Sequence, residues 1–480
     1  MRHATEIVSV LPLVILGATP VAALLAIAIR RNHTFVLGVT LVGLAASFIA
    51  LWPAARAGPR PVTRLLSSDG YALFYTGLLV AASFAVAILA HGYLERHAVR
   101  REEFYVLLAL AATGGAVLAA AAHFASFLLG LEILSVSLYA MLGYAVDQPL
   151  PLEAALKYLV LAASSAAVLL FGMALVYAAL GSMSFPDLAV RLSTPAQSGV
   201  LLTAGVVLLI TGVGFKLALV PFHLWTPDVY QGAPAPAAAF VATVSKGAVF
   251  ALVFRFFQST GSAGLAPVTA GFGGIAVLSM IFGNVLALQQ SNVKRLLAYS
   301  SIAHMGYLLV AFVAGGTLGT VAASFYLLVY FVTTLACFAV VTLLSGGERD
   351  ADALEDYRGL FWRRPALAAT FTVALLSLAG IPLTAGFIGK FYLVATGASV
   401  GLWALVMVLV VSSVVGLFYY LRVVVALYAR EPAPTVAPGA ARLAPGGLAV
   451  LAVLALLLLW LGIYPAAALG LVRSAVASML

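Results

Sequence analysis

Long apolar runs alternate with short polar breaks along the whole chain. A helix of about 20 apolar residues spans the hydrocarbon core of a bilayer. Fourteen runs reach that length, at roughly 7–29, 34–52, 71–92, 103–122, 124–145, 153–180, 197–221, 236–257, 265–288, 295–314, 318–345, 365–387, 400–429 and 446–470. The longest polar stretches are Pro53–Gly70, Gly346–Arg364 and Glu431–Gly447, too short for a soluble domain. The first run, Ile7–Ile29, is too long for a signal-peptide core and lacks a convincing cleavage site, so it reads as a membrane helix. The pattern predicts an all-α polytopic membrane protein with about 14 transmembrane helices.

Two runs are interrupted. The seventh ends in VPFHLWTPDVYQGAPAP, with Pro221, Pro227, Pro234 and Pro236. The twelfth contains LAGIPLTAGFIGKFYL, with Gly380, Pro382 and Gly386 ahead of Lys390. Pro and Gly free backbone groups that, at membrane depth, must be buried in protein or line a wet cavity. Paired broken helices point to an inverted-repeat transporter. Helices 4–8 and 9–13 form two five-helix units with the broken helix fourth in each, and the odd count inverts the second unit. The expected division is an N-terminal three-helix segment (1–102), repeat 1 (103–257), repeat 2 (258–430), and a linker with helix 14 (431–480).

Composition sharpens this. Of 480 residues, 64% are hydrophobic and 9% charged, against about 25% charged in soluble domains. The net charge of +9 comes from arginines scattered between spans, so no nucleic-acid partner is expected; the lipid bilayer is. The single cysteine, Cys337, excludes disulfides and cysteine-ligated clusters within the chain. No phosphate-binding loop is present. Loops after odd-numbered runs carry fourteen Lys/Arg and the other side seven, counting Arg255 there. The excess of basic residues marks the cytoplasmic side and places both termini outside.

Only five residues are lysine: Lys157, Lys216, Lys246, Lys294 and Lys390. Arginine stays charged at any realistic pH, whereas a desolvated lysine can lose its proton near neutrality. Lys157 and Lys294 sit where runs begin and read as boundary charges, Lys157 pairing with Glu153 at i−4. The other three lie deep in apolar segments. Glu132, mid-way along the fifth run, costs about 2.5–3.5 kcal/mol to insert. It reads as part of a proton path, or as a structural ion pair or a protonated acid bonded to serine. A Glu132–Lys216 contact would make a switch, or an inert salt bridge. Lys246 has no acid at i±3 or i±4 and suits a relay; the alternative is snorkelling to the interface. Lys390 is either the last relay before exit or an interfacial anchor. His304, His223 and His123 are secondary candidates for a proton wire. Tyr299, with Ser300 and Ser301, would line a polar channel. The histidines lack metal-ligand spacing, so no metal is expected. Asp228 reads as a cap for a half-helix.

The strings LLGLEILSVSLYAMLGY, GFKLALVPFHLWTPDVYQGAPAPAAAF, SNVKRLLAYSSIAHMGYLLV and AGIPLTAGFIGKF resemble the antiporter-like membrane subunits of complex I, the proton-pumping NADH:quinone oxidoreductase. VPFHLWTPDVYQGAPAP, and a lysine rather than glutamate at 390, are similar to the subunit N branch. The resemblance implies a proton relay of Glu132, Lys216, Lys246 and Lys390. It implies no cofactor in this chain: NADH, FMN, iron–sulfur clusters and quinone would be bound by partner subunits. It implies neighbouring antiporter-like and small membrane subunits as partners, in a bacterial cell inner membrane. A Mrp-type cation/proton antiporter subunit or a related membrane hydrogenase uses the same buried chemistry and is the rival reading.

Overall fold

In a bilayer every backbone N–H and C=O must be satisfied internally, so apolar runs of this length fold as helices. The computed structural model describes residues 2–97, 100–145, 148–193, 199–261, 265–346, 349–430 and 444–479. Most of the predicted linker 431–447 lies outside the described residues.

The first three runs are α1 (Arg2–Ile29), α2 (His33–Arg56) and α3 (Gly70–His97). A two-stranded ribbon, β1 (Arg60–Pro61) and β2 (Ser67–Ser68), closes the turn between α2 and α3. Next come α4 (Glu103–Ala120), α5 (Phe124–Leu142), α6 (Pro149–Leu180) and a short α7 (Phe185–Leu192). The seventh run is split into α8 (Val200–Lys216) and α9 (Trp225–Gly232). The eighth is α10 (Ala235–Phe240), a π turn at Val241–Ser245, and α11 (Lys246–Ser259). Then follow α12 (Ala266–Leu288), α13 (Val293–Ala314) and α14 (Gly316–Leu344). After a short α15 (Leu360–Arg363), the twelfth run is split into α16 (Pro365–Ala379) and α17 (Ala385–Ser399). The chain closes with α18 (Trp403–Tyr428), α19 (Pro445–Ile463) and α20 (Ala466–Ala477).

Thirteen of the described helices are long and apolar enough to cross a membrane, and they match thirteen of the fourteen predicted runs. The remaining one is the twelfth, whose break leaves two helices of 15 residues each. The predicted end at 387 falls short, because α17 continues to Ser399. The last predicted run is too long. Pro465 stops α19 at Ile463, since the residue before a proline is pushed out of the helical region, and a separate α20 follows.

The core lies around α10–α11, α13 and α14, whose apolar windows are 100%, 89% and 89% buried. α1 and α2 are mostly exposed, as a lipid-facing or partner-facing layer is. α13 packs against α9, α12, α14, α17 and α18, so its side chains reach both split helices or their neighbours. Small residues permit this closeness: a Cβ on Gly283 of α12 would stand 2.7 Å from the Ala303 nitrogen of α13.

Each break contains one non-glycine residue in the left-handed region, Ala218 (φ 59°) and Leu383 (φ 74°). Such residues cost about 1–3 kcal/mol and persist only where their surroundings over-determine them. In the second break the determinant is Gly386. Its N–H donates to Ser377 Oγ at 3.0 Å, and a Cβ there would lie 1.7 Å from the Ser377 carbonyl oxygen. Gly386→Ala must therefore push α16 and α17 apart. We expect a loss of at least about 1–3 kcal/mol of stability, seen as a lower thermal unfolding midpoint in detergent. Gly274→Ala, whose Cβ meets open space, is the control that stays unchanged.

Candidate functional site: a buried row of lysines

Lys216 is the last residue of α8 and is 3% exposed. Its Nζ donates to Ser135 Oγ of α5 at 2.7 Å, and the ammonium lies 5.4 Å from the centre of the Tyr158 ring. Glu132 is one turn before Ser135 on the same helix. The expected Glu132–Lys216 ion pair is not closed: among the described residues no salt bridge within 4.0 Å joins them. Ser135 takes the ammonium instead. Glu132 Oε1 is shielded from water with no hydrogen-bond partner.

Lys246 follows the π turn, where the helix widens by one residue and re-aims the next side chain. It is fully buried. Its Nζ donates to Ser301 Oγ of α13 at 2.6 Å and sits 5.5 Å from the Tyr230 ring centre. No acid approaches it among the described residues, in keeping with the sequence. Burial removes the snorkelling alternative.

Lys390 of α17 is 7% exposed, which removes the interfacial-anchor alternative. It reaches back across the break to the end of α16. Its three N–H groups donate to the carbonyls of Leu378 (2.8 Å) and Ala379 (3.0 Å) and to Ser413 Oγ (2.7 Å). Those carbonyls have no intrahelical partner and carry the negative end of the helix dipole. In the first break the donor is neutral, with Trp225 Nε1 donating to the Phe215 carbonyl at 3.0 Å.

Between Lys246 and Lys390 runs a polar stripe on α13. Ser301 Oγ bonds Tyr330 Oη at 2.7 Å. His304, 3% exposed, bonds Tyr326 Oη through Nδ1 (2.7 Å) and Tyr420 Oη through Nε2 (3.2 Å). Tyr420 in turn bonds Ser300. The hydrogen bonds stop between Tyr330 and His304, whose ring centres are 5.6 Å apart. Tyr307, one turn on, receives Asn284 Nδ2 at 3.0 Å and faces the Lys390 ammonium at 5.1 Å from its ring centre. The arrangement can hold a proton at each lysine, and hydroxyls and one imidazole line the way from Lys246 toward Lys390. Transfer needs water or rotamer motion between Tyr330 and His304, and again before Lys390, which meets Tyr307 only at the ring face.

The other candidates fall elsewhere. His123 is the N-cap of α5, its Nδ1 accepting the Ala125 N–H at 3.0 Å, and burial pushes its imidazole below the ordinary value. That is a structural role, away from the row. His223 lies buried in the first break with Nδ1 unpartnered. Tyr299 packs part-buried against the core, outside the stripe that Ser300 and Ser301 join. Asp228 does not cap α9: it binds Lys157 at 2.8 Å and Arg295 at 2.7 Å, while Lys157 also holds Glu153 at 2.7 Å as expected. Lys294 lies at the start of α13, where the span begins as expected, but it is buried there and paired with Asp350 at 2.6 Å. Sequence reasoning missed Ser135, Asn284, Tyr326, Tyr330, Ser413 and Tyr420. Their signal was present: Tyr326 and Tyr330, at i and i+4, put two hydroxyls on one face of an apolar helix.

The family described as "NADH:quinone oxidoreductase/Mrp antiporter, TM" matches residues 121–416. The chain belongs to that family. Among solved structures, a chain of respiratory complex I from Thermus thermophilus with bound aureothin is 36% identical. The match covers 96% of this chain and 98% of that one, with a TM-score of 0.82. A chain of an archaeal respiratory membrane complex, the membrane-bound sulfane sulfur reductase, is 24% identical over 99% and 97%, TM-score 0.81. A chain of the Mrp complex from Dietzia sp. DQ12-45-1b is 19% identical over 99% and 97%, TM-score 0.82. The last two share the fold. The protein is thus a multi-pass, antiporter-like membrane subunit, and Lys216, Lys246 and Lys390 all fall within the residues the family matches.

Proposed function

We propose that this chain is the subunit N-type proton-translocating subunit of an NADH:quinone oxidoreductase. The observation that carries this reading is the row itself: three buried lysines on α8, α11 and α17, with an interrupted polar stripe on α13 between Lys246 and Lys390. Burying an ammonium without a carboxylate is costly, and such residues mark ion paths. The higher identity to a complex I chain than to the Mrp or reductase chains favours the NADH-linked complex over the rival antiporter. Redox chemistry, with NADH, FMN, iron–sulfur clusters and quinone, belongs on this reading to partner subunits. The chain sits in a bacterial inner membrane with its termini outside, and helices 4–8 and 9–13 act as inverted five-helix units.

Glu132 enters as the switch. It is part-buried on α5, and its field reaches the Lys216 ammonium without a direct bond. Changing its charge changes how strongly Lys216 holds its proton. Glu132→Gln should lower coupled NADH:quinone turnover several-fold while leaving assembly intact. The measurement is NADH oxidation and dye-reported acidification in inverted membrane vesicles. A normal, fully coupled rate sinks the switch. If neutralisation of all three lysines leaves NADH-driven pumping untouched while sodium-driven exchange is lost, the Mrp-type reading replaces this one.

A further inference from the structure

Away from the lysine row, the start of α2 meets the end of α3. There His33, His91 and Glu95 converge, the one group of three or more His/Cys/Asp/Glu among the described residues with ligand atoms all within 4.8 Å. His91 and Glu95 are i and i+4 on one face of α3, with His91 Nε2 and Glu95 Oε1 3.8 Å apart. His33 Nδ1 is 4.0 Å from the same oxygen. The two imidazoles stack with centres 4.3 Å apart and planes 11° apart.

His33 supplies the independent indication. Its side chain is 9% exposed, yet Nδ1 is buried without a hydrogen-bond partner and is directed at this cluster. Its other nitrogen, Nε2, bonds Tyr105 Oη at 2.7 Å. A metal-ligating histidine gives its second ring N–H to an oxygen, which fixes the tautomer and turns the free lone pair toward the ion. Tyr105 is placed to be that oxygen. His91 and Glu95 are partly exposed, so an ion has a route from water.

We propose that His33, His91 and Glu95 form a site for a divalent transition cation of the zinc type. Two imidazoles, one carboxylate and a water make a familiar four-coordinate set. Ligand bonds of about 2.0–2.2 Å require the three atoms to draw in by roughly 0.5–1 Å and the rings to tilt out of their stack. The exposed ends of His91 and Glu95 can supply that movement. Arg101, whose guanidinium holds the Glu95 carbonyl at 3.0 Å, and Arg31, paired with Glu103, border the cluster and moderate its affinity. The bound ion would tie α2 to α3 and stiffen the N-terminal layer. The expectation of no metal rests on the spacing of His123, His223 and His304, and does not extend to His33 and His91, 58 residues apart.

The test is a Co²⁺ titration of the purified complex in detergent, read by visible absorption and by calorimetry. We expect one saturable Co²⁺ per chain with the intense bands of a four-coordinate nitrogen–oxygen site, discharged by Zn²⁺. His91→Gln and Glu95→Gln, both at accessible positions, should each weaken binding at least about ten-fold and bleach the bands. Tyr105→Phe, which keeps all three ligands, should weaken it about 10–100-fold. His123→Gln should change nothing. Absence of a saturable site in the wild type, or unchanged affinity and spectrum in both His91→Gln and Glu95→Gln, overturns the proposal.

Discussion

Replacing Lys246 with alanine should leave an assembled complex that no longer moves protons. The ammonium is fully buried and is held by one neutral partner, Ser301 at 2.6 Å. No carboxylate pairs with it, so its removal leaves no orphaned charge, and Ser301 keeps its bond to Tyr330. The fold therefore survives a change that deletes the charge bonded to Ser301 of the α13 stripe. Acidification per NADH oxidised, measured in inverted vesicles, should fall at least about ten-fold, to the level of the passive leak. Lys246→Arg sharpens the test, because arginine keeps a charge that it cannot release. A relay predicts that both variants fail. Wild-type stoichiometry in either assembled variant defeats the relay.

The second large effect concerns Arg255 and Asp69. Both are 5% exposed, and they form a forked ion pair with bonds of 2.7 and 2.8 Å. Arg255 also donates through Nε to the Ala119 carbonyl and stacks over Tyr71. Asp69 accepts the Ala72 N–H at the start of α3. Three helices, α3, α4 and α11, thus share one pair. Asp69→Asn preserves shape but leaves a buried guanidinium unmatched, which costs about 3–5 kcal/mol. Thermal unfolding of the purified protein should shift down by several degrees, on the order of ΔΔG divided by the unfolding entropy. The double variant Asp69→Asn/Arg255→Gln should recover most of the loss. An unshifted midpoint in Asp69→Asn refutes the assignment.

The spans and both breaks were legible because they rest on length and on proline and glycine, which act locally. Lys216, Lys246 and Lys390 were legible because a charge in an apolar run is conspicuous. What stayed hidden depends on which helices meet. Arg255 sits four residues from the end of α11 and reads as a flanking charge in the sequence, whereas Asp69, from a distant turn, covers it in the fold. Asp228 had the right residue type for a cap, but Lys157 and Arg295 compete for it and win. Glu132 and Lys216 were matched by charge, whereas packing offered Lys216 a serine first. The π turn has no signature in VATVS. Hydroxyls on α13, α14 and α18 look like ordinary apolar-helix residues until the bundle turns them toward one another.

The junction of α16 and α17 is clasped by the three N–H groups of Lys390, one for each of Leu378, Ala379 and Ser413. A neutral amine has only two hydrogens to give. On the proposed relay, a Lys390 that gave up its proton would keep two N–H groups for the Leu378 and Ala379 carbonyls, and the Ser413 hydroxyl, now a donor to the Ala379 carbonyl, would have to turn toward the amine lone pair. At the first break the tryptophan that holds Phe215 never faces that exchange. Charge at position 390 would then be written into the direction of one serine hydroxyl: the event that empties the site reverses the Ser413 bond, and refilling it turns that bond back.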